Sequence, residues 1–204
     1  MISTLDAEIR PSHGLGMFEL GMSLWTVLDM LPKLQHFFPQ VDVKYDPDIA
    51  PTTPVVLHIR PHIDLLFSGK QQRLRTICVR KLRDPNPPVI LRYRDETLSS
   101  ADKPLRRLDV SKVFGPTYPT ANQNLRYPGI VFSFDDETSS SAAVNQDRMQ
   151  EVKKVLVVQK DADDTDALAE VQPCPAMDGD ISVAIVKVCR HYLLWMFAYT
   201  ETMY

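Results

Sequence analysis

Cysteine, glycine and long apolar runs are all scarce in this chain of 204 residues. Its three cysteines, Cys78, Cys174 and Cys189, are too few and too scattered for a disulfide framework or a zinc knuckle, which suits a reducing compartment. Glycine occurs 7 times against 16 prolines, so stiff, extended connections are expected and long uninterrupted helices are not. The scarcity of cysteine excludes a disulfide framework.

Nothing in the sequence predicts insertion into a membrane or export. No stretch approaches the roughly 20 apolar residues that span a bilayer. The first residues, MISTLDAEIRPSHG, contain acids and no apolar run, unlike a secretory signal or a transit peptide. We therefore expect a cytoplasmic protein.

Charge is unevenly distributed, although the net charge is only -3. Residues 70–107 hold 11 Lys and Arg against 4 Asp and Glu, a local charge of +7, whereas residues 1–69 and 108–204 are both acidic. We call residues 70–107 the basic segment. Such a segment could meet an anionic lipid surface or an acidic protein. A solvated sheet face balanced by the acidic flanks is the plainer alternative.

The stretch GMSLWTVLDML at 21–31 predicts an amphipathic helix. Its apolar residues recur at i, i+3, i+4 and i+7, a spacing that forms one buried helix face: Leu24, Val27, Leu28 and Leu31. Ser23 is the expected N-cap, and Pro32 should end or kink the helix. WTVL at 25–28 also fits the W-x-x-L pattern that binds ubiquitin-like modifiers by strand addition. Since Leu28 is needed in the core, we interpret it as structural.

Alternating runs after this helix predict an antiparallel meander. The runs lie at 40–45, 55–59, 63–67 and 72–79, with turns at 60–62 and 68–70. The proline-rich stretch 84–88 predicts a turn or linker. A strand at 89–93 and a short helix then follow, the helix carrying Leu108 or Val110, Val113 and Phe114 and stopping at Gly115 and Pro116.

The last predicted strands give the fold class. Ile130, Phe132 and Phe134 should point inward from one strand, and further strands are expected at 153–158 and 180–188. Short helices packed on antiparallel sheet define an α+β domain over 1–188. A helix followed by strands occurs twice, which weakly suggests two related sub-units, 9–83 and 89–188.

No catalytic or metal site emerges from the residue patterns. His58, His62 and Asp64 all occupy even positions, which would place them on one face of a continuous strand, but Pro61 interrupts that strand. Zinc needs three or four convergent ligands, so exposed strand or turn histidines are expected. SGK at 68–70 lacks the other residues of a phosphate loop, and G-x-S-x-G is absent. We expect no catalytic residue, no metal ligand and no cofactor.

The basic segment provides the candidate contact residues. Arg73 with Arg75, like Arg92 with Arg94, should project from the same side of a strand. Aromatic residues are not interleaved with these cations, so nucleic acid is disfavoured. The predicted contacts with a partner or an anionic lipid are Lys70, Arg73, Arg75, Arg80, Lys81, Arg83, Arg92 and Arg94.

Several blocks together resemble a known family. HGLGMFELGMSLWTVLDML, VDVKYDP, IDLLFSGKQQRLRTICV, VFGPTYP and YPGIVFSF occur in the order and spacing of the phagosome assembly factor 1 family over residues 9–136, and VQPCPAMDGDISVAIVKV resembles a later block. The resemblance implies a non-enzymatic adaptor or regulator of autophagy. It also implies action with a phosphoinositide-binding β-propeller partner at the phagophore assembly site. It carries no catalytic residue.

The resemblance also bears on the end of the chain. Family members continue into a second related α and β unit, whereas the aromatic stretch 189–204 matches nothing in the family. We expect this stretch to be an atypical tail, either disordered or an artefact of the gene model. The alternative to an adaptor is a module that binds anionic phosphoinositide lipid directly, without a partner.

Overall fold

Two β-sheets and two short α-helices make up the part of the chain that the computed structural model describes, residues 5–36, 38, 40–45, 53–85, 89–120, 123–134 and 148–159. In chain order the elements are β1 (Leu5–Arg10), β2 (Gly14–Leu15), β3 (Phe18–Glu19), α1 (Leu24–Met30), a 3-10 helix (Leu31–Leu34), β4 (Val41–Lys44), β5 (Val55–Ile59), β6 (Ile63–Phe67), β7 (Leu74–Arg80), β8 (Val89–Tyr93), β9 (Glu96–Ser99), α2 (Arg107–Phe114), β10 (Leu125–Tyr127), β11 (Ile130–Ser133) and β12 (Lys154–Val157). Strands dominate, and the predicted α+β class is confirmed.

The seven-stranded sheet contains the predicted meander. Its order is β10-β11-β12-β7-β6-β5-β4, and every pair in it is antiparallel. Strands β4 to β7 follow one another directly, as the alternating runs and turns predict. Strand β12 lies between β11 and β7, so a late strand joins the meander to the β10–β11 hairpin.

The five-stranded sheet depends on one parallel pair. Its order is β3-β2-β1-β8-β9, and β1 runs parallel to β8 with Leu5 opposite Val89. The sequence analysis predicts β8 but neither β1 nor β9. Alternate residues of β1 are buried: Leu5, Ala7 and Ile9.

Helix α1 begins and ends as its sequence predicts. The Ser23 hydroxyl accepts a hydrogen bond from the Thr26 N–H at 3.0 Å, and the chain passes into the 3-10 helix at Leu31, just before Pro32. Trp25 is 38% exposed, while Leu28 is partly buried and packs against the core. This supports a structural interpretation of the W-x-x-L pattern. The other members of the predicted stripe are buried: Leu24, Val27 and Leu31.

Helix α2 and strand β11 complete the core. Val110 is fully buried, and the helix ends at Gly115 with φ +91°, a left-handed value that favours glycine. The predicted inward residues of β11 and the position after it, Ile130, Phe132 and Phe134, are all buried in the core that also contains β1, α1 and the meander.

The turn between β10 and β11 links the two sheets. The Gly129 carbonyl accepts hydrogen bonds from the N–H groups of Ser12, at 3.2 Å, and Val158, at 3.1 Å. A Cβ at Gly129 would collide with the backbone of Ser12, and φ at Gly129 is +79°, so only glycine fits there. The expected strand at 180–188 and the tail 189–204 lie outside the described residues. The single domain over 1–188 and its sub-units stay predictions.

Candidate functional site

The eight cations of the predicted contact set lie in two different sheets. Those from Lys70 to Arg83 lie on or beside β7 in the seven-stranded sheet. Arg92 lies on β8 in the five-stranded sheet, and Arg94 lies in the turn that follows it. The eight side chains therefore do not form one continuous basic face. Their role in contacts stays a prediction.

Arg75 is buried because β7 contains a β-bulge. The β6–β7 ladder shifts its register between Leu66 and Phe67, which leaves Arg75 as an extra residue on β7. A bulge breaks the alternation of side chains, and Arg75 is only 7% exposed. Arg75 therefore does not share an exposed basic face with Arg73, which is only partly buried.

Arg73 and Lys70 lie at the same end of β7 as the bulge. The Arg73 guanidinium donates to the Gly21 carbonyl at 3.2 Å, and residue 73 forms a β-bridge with Ser23, so this arginine holds the start of α1 against the sheet. Lys70 is exposed in the turn before β7. Arg73 thus has a structural contact, whereas Lys70 faces solvent.

A cluster of cations lies at the opposite end of β7. Arg80, Lys81 and Arg83 lie there within four positions of the sequence. The antiparallel β7–β12 pair brings Lys154 directly opposite Arg80. Lys153 precedes Lys154 and is also exposed. We call these five residues the basic corner. Four strand residues lie between Arg75 at the bulge and Arg80, a distance of about 17 Å.

Two arginines of the basic corner are held by acids. Arg80 pairs with Asp64 and Arg83 with Glu151, each with a closest N–O distance of 2.7 Å. Lys81 and Lys154 are exposed, and neither has an ion-pair partner among the described residues. Net positive charge therefore remains at this corner after its internal pairs are counted.

Arg92 and Arg94 both have partners within the five-stranded sheet region. Arg92 pairs with Asp6 of β1 at 2.9 Å. Arg94 has left the strand, with φ +55°, and its guanidinium carbon lies 5.1 Å from the centroid of the Tyr93 ring. The expected common face of Arg92 and Arg94 is not formed, because Arg94 belongs to the β8–β9 turn.

A polar row crosses the outward face of the seven-stranded sheet. Asp42, His58, Asp64 and Cys78 lie opposite one another on β4, β5, β6 and β7. His58 Nδ1 lies 2.8 Å from Asp64 Oδ1, the oxygen that also accepts from Arg80. The row therefore contains a hydrogen-bonded pair, His58 and Asp64, with Cys78 next to the acid.

Neither metal binding nor thiol catalysis is favoured by this row. Within the described ranges no group of three or more His, Cys, Asp and Glu residues is placed to hold a metal ion. Burial, with a smaller contribution from the Asp64 carboxylate, raises the pKa of the Cys78 thiol to about 11. A thiol with this pKa stays protonated at neutral pH, so it is a poor nucleophile.

His62 corrects one expectation of the sequence analysis. The predicted exposed histidine is fully buried at the tip of the β5–β6 hairpin. Its carbonyl accepts the Arg80 N–H at 2.8 Å, so the hairpin tip is covered by the end of β7. His58 is also mostly covered, with 17% of its side chain exposed.

Lys153 and Lys154 are the candidate contact residues that the sequence analysis missed. They begin a predicted strand, KKVLVV, but lie more than 70 positions after Arg80 in the sequence. Only the pairing of β12 with β7 brings the two groups together. The lysine pair beside a predicted strand is the one signal that the sequence offers.

The family model of phagosome assembly factor 1 matches residues 14–174, which is most of the chain. The chain belongs to the phagosome assembly factor 1 family. This membership gives it a role in phagosome assembly, within autophagy. No curated protein and no solved structure matches the chain.

Membership confirms the predicted family, and the matched region includes every predicted contact residue. None of the helices in the described part of the chain has the length and apolar character needed to cross a bilayer.

Proposed function

We propose that the chain is a non-enzymatic adaptor of autophagy that binds a phosphoinositide-binding β-propeller protein at the phagophore assembly site. The observation that carries this proposal is the family match together with the exposed cations of the basic corner. Contact through the basic corner recruits the chain from the cytoplasm to the membrane indirectly, through the propeller.

The charge balance of the basic corner supports a contact role. Lys81 and Lys154 lie on neighbouring strand ends and are not neutralised by an acid of the described region. Arg80 and Arg83 are already bound by Asp64 and Glu151, which fixes the local geometry. The corner therefore offers exposed lysines beside arginines that are held in ion pairs, a suitable arrangement for an acidic protein surface.

The polar row supports the non-enzymatic part of the proposal. Burial, and after it the Asp64 carboxylate directly opposite, raises the pKa of Cys78, whereas a nucleophilic cysteine needs a neighbouring base or cation that lowers it. His58 interacts with Asp64, which separates it from Cys78 across the sheet. In a cysteine nucleophile that is activated by histidine, the imidazole lies beside the thiol. Here the acid lies beside the thiol, and the histidine lies beyond the acid.

A second candidate function is direct binding of anionic phosphoinositide lipid. The same exposed lysines favour it, because each basic residue near an anionic membrane contributes about 1 kcal/mol. The two functions differ in whether the propeller is needed.

Vesicle flotation separates the two functions. The full chain is mixed with phosphatidylcholine vesicles that do or do not contain phosphoinositide, in the presence or absence of the purified propeller protein. An adaptor floats with phosphoinositide vesicles only when the propeller is present. Flotation of the chain alone, lost as salt rises, would instead support direct lipid binding.

A charge-reversal variant tests the basic corner in the same assay. The double substitution Lys81→Glu and Lys154→Glu should weaken recruitment about 30-fold or more, since it removes at least two favourable charges. Lys33→Glu with Lys44→Glu is the matched control, because both lysines are exposed and lie away from the corner. Equal recruitment of both variants would remove the basic corner from the proposal.

A further inference from the structure

Lys81 has a strained backbone conformation just after the end of β7. Its φ is +52°, in the left-handed region where the Cβ of an L residue crowds the following carbonyl oxygen. Glycine has no Cβ, and the short side chain of asparagine can form a local hydrogen bond, so these two residues are the usual occupants of such positions. Lysine has neither advantage. The backbone therefore gives no reason for a lysine at position 81.

The turn that contains Lys81 is anchored to the rest of the fold. The Asp84 N–H donates to the Lys81 carbonyl at 3.0 Å, which closes the turn, and Leu82 within it is buried in the core. The two ion-paired arginines of the basic corner, Arg80 and Arg83, lie before and after Lys81 in the sequence. These contacts hold Lys81 in its left-handed conformation.

The Lys81 side chain takes no part in these contacts. It is exposed, and within the described ranges its ammonium group has neither a hydrogen bond nor an ion pair. Arg94 is the other charged residue with a left-handed φ in that part of the chain, at +55°, and its guanidinium lies over the Tyr93 ring. Lys81 is therefore a strained cation whose charge is not used by the described part of the fold.

Strain of this kind is informative about function. Residues in sparsely populated backbone conformations cluster at ligand sites, where a side chain that binds is retained against the preference of the backbone. At Lys81 the fold carries the cost of the left-handed conformation, and the ammonium group is presented to solvent. An anionic group on a partner would explain a cation at this position.

The other charges of the basic corner select the kind of anion. Three acids, Asp64, Glu151 and Asp84, accompany its five cations, which leaves a net charge of +2. A headgroup with several phosphates would meet these carboxylates as well as the lysines. The guanidinium groups, which suit bidentate contact with phosphate, are already bound by acids. A single carboxylate needs only one ammonium group, so the corner favours an aspartate or glutamate of a protein.

We propose that Lys81 is the residue through which the basic corner recognises its protein partner, and that it pairs with an aspartate or glutamate carboxylate on the partner's surface. This inference rests on the proposed function, because it specifies the contact that the chain makes with the propeller. Lys154 adds to the positive potential of the corner, but it lies on a regular strand. Lys81 therefore contributes more to the affinity than Lys154 does.

The first experiment uses a glutamate-rich peptide and needs no propeller. A fluorescein-labelled peptide of alternating glutamate and serine residues is titrated with the full chain at low salt, and its affinity is measured by fluorescence polarisation. Lys81→Asn suits the left-handed conformation, so the midpoint of urea unfolding should be unchanged or higher, while binding weakens about fivefold. Lys81→Arg keeps the charge and should retain most of the affinity.

Gln72→Gly is the matched control. Gln72 lies just before the other end of β7 with nearly the same φ, +51°, so glycine relieves the same kind of strain there without removing a cation. This variant should bind the peptide as tightly as the native chain. The proposal is overturned if the native chain does not bind the peptide, if Lys81→Asn binds it equally well, or if Lys154→Gln costs as much affinity as Lys81→Asn.

A cross-linking experiment then identifies the group that Lys81 contacts on the propeller. A carbodiimide couples a lysine amine to a carboxylate in direct contact with it and forms an amide. Mass spectrometry of the full chain treated with the purified propeller should find Lys81 joined to an aspartate or glutamate, and Lys81→Arg should abolish this product. A complex that lacks the product overturns the proposal.

The two experiments together separate this proposal from the proposed function. A chain that binds the peptide through Lys81 but does not bind the propeller overturns the proposed function alone. Flotation of the chain with phosphatidylcholine vesicles that contain phosphoinositide, without binding to the peptide, would assign Lys81 to lipid and overturn the present inference.

Discussion

The arginines at the two ends of strand β7 have different surroundings. At the bulged end Arg75 is buried and Arg73 holds the start of α1, so both serve the fold. At the other end Arg80 and Arg83 are paired with acids, and Lys81 and Lys154 remain exposed beside them. Cations that look equivalent in the sequence therefore divide into structural ones and candidates for contact. Of four predictions about β7, the second and third test that division.

The largest expected effect compares the two faces of β7. Ile77 is fully buried on the inner face, so Ile77→Ala should lower the free energy of unfolding by about 3 kcal/mol. Its neighbour Cys78 lies on the outward face, and Cys78→Ala should cost about 1 kcal/mol or less. Urea unfolding followed by circular dichroism measures both. Similar losses would show that the outward face is as tightly covered as the inner one.

The second prediction compares the two ends directly. Arg75→Ala should lower the free energy of unfolding by about 2 kcal/mol, because the buried stem and the groups around it lose their contacts. Lys81→Ala should change it by less than about 0.5 kcal/mol, as for an exposed surface residue. If Lys81→Ala costs as much as Arg75→Ala, the basic corner is structural too.

The third prediction concerns the base of the basic corner. Arg80→Ala removes the 2.7 Å contact with Asp64, which still interacts with His58, so a loss of about 1 kcal/mol is expected. A double-mutant cycle with Asp64→Asn isolates the pair. A coupling energy near zero would mean that the pair does not hold the corner in place.

The fourth prediction concerns the Cys78 thiol, whose raised pKa should have the smallest effect on stability at neutral pH. Since its pKa is raised from 9.0 to about 11, the thiolate fraction at pH 8 should be about 100-fold lower than for a free thiol. Iodoacetamide labelling should slow accordingly when measured with Cys174→Ser and Cys189→Ser in the background. Asp64→Asn should speed labelling, because the carboxylate raises this pKa. Labelling as fast as a free thiol would contradict the burial of Cys78.

The raised pKa of Cys78 also makes the stability of the fold depend on pH. The folded chain holds the Cys78 proton more tightly than the unfolded chain, so its contribution to stability is fully present below about pH 9. The contribution declines as the pH rises from there through about 11. An alkaline decline that disappears in Cys78→Ala would identify this group.

Local patterns predicted the meander and both helices. The runs from β4 to β7 alternate clearly and are separated by turn residues, and Ser23 and Gly115 mark a helix start and a helix end. Each of these features depends on neighbours close in sequence. Their physical causes, side-chain alternation and capping, can be seen in a single sequence.

Long-range pairing could not be predicted in the same way. Strand β1 alternates Leu5, Ala7 and Ile9 with polar residues, but Ala7 is a weak signal and its parallel partner β8 begins 84 positions later. The bulge at Arg75 depends on the register of β6 against β7, which no local pattern fixes. The basic corner likewise exists only because β12 pairs with β7.

The position of β12 has a consequence for the order of folding. It is the last described strand along the chain, yet it lies between β11 and β7, near the middle of its sheet. During synthesis the meander and the β10–β11 hairpin emerge from the ribosome before the strand that joins them. Until it arrives, the edges of β7 and β11 stay open to pairing with other nascent chains, so we expect that pairing of residues 154–157 also limits aggregation.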